Sequence, residues 1–198
     1  MRRPFVVWSA LLVALSVPIL AAGFSPYLAF RQPIYILAGF AGIVGLALMP
    51  LQPLLAARRL PGLSTPGARQ LHRWVGMSLL VCVVLHVVGL WITSPPDVVD
   101  VLLFRSPAPF SIWGVIAMWS IFAAALLVLM RARLRLPWHL WRRGHAMLAS
   151  LAVVSTIVHA LLIEGAMEGV TKAALCVFVL AVTLKTMIDL KIWARKAR

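Results

Sequence analysis

The sequence predicts an all-α, polytopic membrane protein: a six-helix transmembrane bundle with both termini cytoplasmic, forming one domain over residues 1–198. Three observations carry that expectation. The chain is 63% hydrophobic and 12% charged, whereas soluble domains are about 45–50% apolar and about a quarter charged. Six of its apolar runs reach the length a bilayer demands. The basic residues between those runs alternate in number from one connection to the next.

A hydrocarbon core about 30 Å thick needs about 20 apolar residues per helix. The segments that meet this are Phe5–Phe24, Ile34–Ala57, Leu71–Ile92, Ser111–Met130, Leu140–Ile163 and Val170–Leu190, with Pro and Gly crowding the connections. The first follows Met-Arg-Arg and ends near Ala21-Ala22-Gly23, as a cleaved leader would. Its apolar stretch exceeds the roughly 7–15 residues of a signal core, so a retained helix is expected. Gly39, Gly42, Gly45 and Pro50 interrupt the second segment. The connection from Ile92 to Ser111 is rich in proline (Pro95, Pro96, Pro107, Pro109), and its short apolar stretch Val98–Phe104 is expected to lie along the outer interface.

Orientation follows from Lys and Arg in the short connections. One set holds Arg2, Arg3, Arg58, Arg59, Arg69, Arg73, Arg131, Arg133, Arg135, Arg142, Arg143, Lys185, Lys191, Arg195, Lys196 and Arg198; the other holds Arg31, Arg105 and Lys172. Sixteen against three places the richer set in the cytoplasm. Four of the five acids, Asp97, Asp100, Glu164 and Glu168, fall on the opposite face. The net charge of +14 is thus spread over loops rather than gathered in a patch, which argues against nucleic acid and for anionic headgroups of the lipid bilayer. No glycine-rich nucleotide loop or strand–helix alternation is present. Cys82 and Cys176 both lie inside apolar runs and read as small buried hydrophobes.

Four of the five histidines form a pattern. His72 and His86 lie on the third segment and His145 and His159 on the fifth, fourteen residues apart in each case. Fourteen residues advance a helix by about 21 Å and nearly four turns, so each pair faces one way with a ring near each membrane surface. The two segments cross in the same direction. If they are neighbours, His72 stands level with His145 and His86 with His159. Two facing imidazoles at one height supply both axial positions of a haem iron. The vertical gap excludes a four-imidazole cluster on one metal. The alternative for rings set among Val, Leu and Ile is hydrogen bonding between helices.

Other residues are read in relation to these. Gly76 and Gly89 follow His72 and His86 by about a turn, where a missing side chain would let a macrocycle approach. Arg69, Arg73, Arg142 and Arg143 cluster around the inner pair as partners for haem propionates or a flavin phosphate. His139 reads as an interfacial residue, with a spare ligand as the alternative, and Trp74, Trp91, Trp113, Trp138 and Trp141 read as interfacial. Lys185 and Asp189 are spaced to pair on the last helix.

The pattern Leu71-His72-Arg73-x-x-Gly76 leading to His86, then Trp141-Arg142-x-x-His145 leading to His159-Ala160, resembles the ferric reductase-like transmembrane domain. That superfamily includes ferric reductases, the membrane part of NADPH oxidases and the haem subunit of the methionine-sulfoxide reductase system. The resemblance implies two stacked b-type haems, with His72 and His145 as inner and His86 and His159 as outer iron ligands. It also implies electron flow from the cytoplasmic to the outer side. Many relatives continue into FAD- and NAD(P)H-binding domains, whereas this sequence stops at Arg198. The expectation is therefore an oxidoreductase membrane component of a bacterial inner membrane. A separate cytoplasmic flavin reductase, or FMN or FAD at the inner face, would supply the electrons. The acceptor would be ferric iron as a chelate or a periplasmic protein. Two alternatives accompany it: a haem subunit feeding a periplasmic oxidoreductase or linked to quinol, and a haem-free scaffold or transporter. The latter would call for broken helices or inverted repeats.

Overall fold

The computed structural model describes residues 2–192; Arg195, Lys196 and Arg198 of the basic set, and the side chains of Arg2 and Arg3, lie outside the described residues. Helix α1 (Arg2–Gly23) is followed by a 3-10 turn at Pro26–Leu28, then α2 (Pro33–Leu48), α3 (Leu51–Ala56), α4 (Thr65–Thr93) and α5 (Pro95–Leu102). The second half holds α6 (Ser111–Leu129), α7 (Arg131–Leu134), α8 (Trp138–Leu162) and α9 (Gly169–Asp189). Among the described residues there is no strand. Six spans are long and apolar enough to cross a membrane: Pro4–Gly23, Pro33–Ala56, Thr65–Thr93, Ser111–Leu129, Trp138–Leu162 and Gly169–Asp189. The protein is an all-α, multi-pass membrane bundle.

Local chemistry sets the ends of these helices. Ser64 caps α4 by accepting from the Gly67 N–H at 3.2 Å, with Pro66 in the first turn where its missing donor costs nothing. The helix therefore starts six residues before the apolar run at Leu71, and its basic first turns extend the span. Twenty-nine residues make it about 44 Å long, more than the hydrocarbon core requires. Pro50 divides the second span, because it lacks an N–H and crowds the carbonyl one turn back. The last turn of α2 tightens, with Met49 N–H bonded to Leu46 O at 3.2 Å, and the chain resumes as α3. The stretch Val98–Phe104, expected to lie flat at the interface, contributes to the short helix α5, which has Asp97 in its first turn.

Two antiparallel pairs make up the centre of the bundle. Helix α2 packs along α4 and α6 along α8, with α3 against α4 and α9, while α4 and α8 have scarcely any close backbone contact with each other. One core cluster joins Leu46, Val75, Leu79, Ala152, Val153, Ile157 and Val179. Leu79 and Ala152 lie midway between the histidines of their helices, so apolar packing separates the two histidine levels. Large side chains such as Leu37, Leu85 and Val177 are exposed on the outer faces, as the lipid solvent allows.

The basic connections gather at one end of the bundle, called here the basic end. Trp8 Nε1 donates to Pro61 O at 3.1 Å, Thr186 Oγ1 to Pro53 O at 3.3 Å, and Arg142 to Leu190 O. Asp189 pairs with Lys185 at 3.0 Å, as the spacing suggests, and with Arg59 across the α3–α4 connection.

Candidate functional site

His72 and His145 are each the eighth residue of their helix, α4 and α8, so equal starting points and equal spacing carry all four rings to two matched levels. The rings meet level by level. His72 and His145 have centroids 6.5 Å apart at an interplanar angle of 61°, near the basic end. His86 and His159 are also 6.5 Å apart, at 84°, toward the far end. All four are partly buried, in the space where α4 and α8 keep their backbones apart.

The far pair is held by the same device twice. His86 Nδ1 bonds Ala38 O on α2 at 2.7 Å, and His159 Nδ1 bonds Phe110 O at the start of α6 at 2.8 Å. Four residues after each carbonyl comes a glycine. A Cβ on Gly42 would lie 3.0 Å from His86 Nδ1, and one on Gly114 would lie 2.7 Å from His159 Cε1. Each imidazole thus rests against bare backbone. These two glycines give the imidazole rings their space. A Cβ on Gly89 would meet Ala38 Cβ at 2.7 Å and one on Gly76 would meet Gln52 Nε2 at 3.3 Å, so those two serve the packing of α4 on α2 and α3.

The basic-end pair is held differently on its two sides. His72 Nδ1 bonds Gln52 O at 3.2 Å, and Gln52 Nε2 donates back to His72 O at 3.2 Å, so the proline break that creates α3 also serves this ring. His145 Nδ1 is buried without a hydrogen-bond partner. Its ring is instead stacked on Trp141, 5.6 Å between centroids and 8° from parallel.

A carbonyl oxygen has no proton to give, so Nδ1 is the donor in His72, His86 and His159. In the neutral ring this leaves the lone pair on Nε2, the nitrogen available to a metal. Imidazole nitrogens bind metals at about 2 Å, which puts two rings on opposite sides of one ion with centroids about 6–6.5 Å apart. Both observed separations meet that requirement. Among the described residues no group of three or more His, Cys, Asp or Glu converges on one point. Each level therefore suits an ion that brings its other ligands with it.

Of the expected basic partners, Arg69 and Arg73 are exposed on the first turns of α4, while Arg142 and Arg143 are half-buried on α8. Arg142 is engaged with the Leu190 carbonyl. His139 is exposed at the second position of α8. Cys176 is buried and Cys82 half-buried, both as free thiols. The sequence reading missed Gln52, Ala38, Gly42, Phe110 and Gly114, whose role depends on which helix faces meet. It also missed the stack on His145, although Trp138, Trp141 and His145 stand at i, i+3 and i+7, one face of a helix.

Fold and site together define a multi-pass membrane protein with two facing imidazole pairs stacked along its length. The chain belongs to the ferric reductase like transmembrane component family, whose model matches residues 41–156, more than half of the chain. The match takes in Gly42, His72, His86, Gly114 and His145 and ends three residues before His159. No curated protein and no solved structure matches the chain. The family points to membrane electron transfer.

Proposed function

We propose that the protein is a transmembrane electron conduit with two b-type haems, His72 and His145 holding one and His86 and His159 the other. The observation that carries this is the pair of equal imidazole separations, 6.5 Å at each level, with Nε2 left as the lone-pair nitrogen on three of the four rings. The donor set would fit haem in kind: two imidazole nitrogens at each level, with no third His, Cys, Asp or Glu converging on them among the described residues. When bound, the haem supplies the one-electron chemistry. The chain's residues fix the tautomer of His72, His86 and His159, hold the rings level, and keep water away with the apolar seam around Leu79 and Ala152.

The basic end is the natural place for the porphyrin carboxylates of the nearer haem. Helices α4 and α8 both begin there, so their positive N-terminal ends join Arg69, Arg73, Arg142 and Arg143 at one level. The excess of arginine and lysine supports a reading in which that end and both termini face the cytoplasm, the protein sitting in a bacterial inner membrane. Electrons then enter from a cytoplasmic flavin- or NAD(P)H-linked donor and leave toward a periplasmic acceptor such as ferric iron. The acids Asp97, Asp100, Glu164 and Glu168 near the exit favour a cationic acceptor.

Haem content across four single substitutions tests the assignment. H86A and H159A are expected to remove the far haem and keep the other, and H72A and H145A to do the reverse, read from pyridine haemochrome assays and reduced-minus-oxidised spectra. A wild-type preparation that folds but stays colourless after haem-supplemented expression overturns the proposal. Losses that couple His72 with His159 overturn the level-by-level pairing.

A further inference from the structure

Trp138 is exposed at the basic end and stacks on Trp141, with centroids 5.1 Å apart and planes 22° from parallel. Trp141 in turn stacks on His145. The guanidinium of Arg131, on α7, lies 5.0 Å from the Trp138 ring and 4.7 Å from the Trp141 ring, clamping both from the connection side. The result is a continuous run of conjugated rings from the surface to an imidazole of the basic-end pair.

Interfacial anchoring does not account for this arrangement. An anchoring tryptophan keeps its N–H among water and headgroups, but Trp141 Nε1 is buried and has no hydrogen-bond partner. The indole is oriented for stacking and gives up its hydrogen bond. His145 shows the complementary feature, since it has no carbonyl on Nδ1 and relies on the indole to set its plane. Trp74 in the third turn of α4 and Trp91 near its C-terminal end are exposed and show no such stack on a histidine.

We propose that Trp138 and Trp141, held by Arg131, are positioning residues that couple an electron donor at the basic end to the iron carried by His145. The proposal rests on the haem reading above. Electron transfer falls steeply with the gap to be crossed, and less steeply through conjugated rings in van der Waals contact than across saturated side chains. The donor, a reduced flavin, loses one electron and ferric iron becomes ferrous. The tryptophans lend orbitals without being oxidised, and no bond or proton changes place in the chain.

The test uses full-length protein in lipid nanodiscs on a His159→Ala background, in which the basic-end haem is the one retained. Haem assay comes first, and absence of haem from this background counts against the haem reading and not against the relay. Reduction by photoreduced flavin mononucleotide is then followed by stopped flow. W138L is expected to slow it several-fold with haem content, absorption bands and midpoint potential unchanged, W141L to slow it several-fold per haem retained, and W138F and W141F to restore most of the rate. W141L removes a partly buried ring and can cost haem, so W138L, at an exposed position where simple packing predicts no effect, decides the matter. Wild-type reduction rates in W138L, or equal rates in the leucine and phenylalanine variants, overturn the proposal.

Discussion

At the far pair, the Nδ1 atoms of His86 and His159 sit 2.7 and 2.8 Å from backbone carbonyls, and each ring lies against a glycine one turn beyond its carbonyl. A methyl group at Gly114 would lie 2.7 Å from Cε1 and 2.8 Å from Nδ1 of His159, so the imidazole must shift and lose its carbonyl bond. G114A is therefore expected to lose most of the far haem while keeping the other, measured by haem content and difference spectra. G42A, where the nearest approach is 3.0 Å, is expected to lose less. If G114A keeps both haems at wild-type spectra, the cradle is unimportant. The histidines could be picked out of the sequence because their spacing is periodic along single helices. Their carbonyls, 48 and 49 residues away, and the glycines a turn beyond those carbonyls could not, since they depend on which face of α2 meets α4 and which face of α6 meets α8.

Among the elements, α9 has a cap that responds to acid. Glu168 accepts from Val170 N–H at 2.7 Å and Thr171 N–H at 2.8 Å, and these backbone donors, Thr171 foremost, hold its carboxyl below the usual glutamate range. A depressed folded-state pKa means that the cap's contribution is complete above the ordinary glutamate value and is lost as pH falls through the folded value. Amide exchange at Val170 and Thr171 is thus expected to lose protection below the ordinary glutamate range, and E168Q to show weaker protection at neutral pH with little further change on acidification. Equal acid responses in the two proteins would show that the cap is not the titrating element. Helix existence was legible because apolar length is a composition property. The start of α4 was not, since Thr65–Gln70 is polar and basic, and only the Ser64 cap with Pro66 marks it.

For the molecule as a whole, α2–α4 and α6–α8 are two tightly packed pairs, and their inner helices approach each other mainly through imidazole rings and the seam around Leu79 and Ala152. A ligand that binds both halves stabilises only the assembled state, by about 2.7 kcal/mol when free ligand is a hundredfold above its Kd. Protein expressed under haem limitation is accordingly expected to melt several degrees lower and to yield more readily to protease between α5 and α6. Identical melting with and without haem would show that the halves are joined by packing alone. The alternation of basic connections was readable from composition, but the separation of α4 from α8 was not, because no local pattern records a distance between parallel helices.

The fourteen-residue interval between histidine levels has an energetic consequence. About 21 Å of helix rise against a hydrocarbon core of about 30 Å means that an electron passing between levels crosses roughly two-thirds of the insulating layer. A full crossing at 100 mV is worth about 2.3 kcal/mol per charge, so this step carries roughly 1.5 kcal/mol. On the proposed reading, outward passage in a cell negative inside would run with the field, so the conduit would be electrogenic and would draw down the membrane voltage.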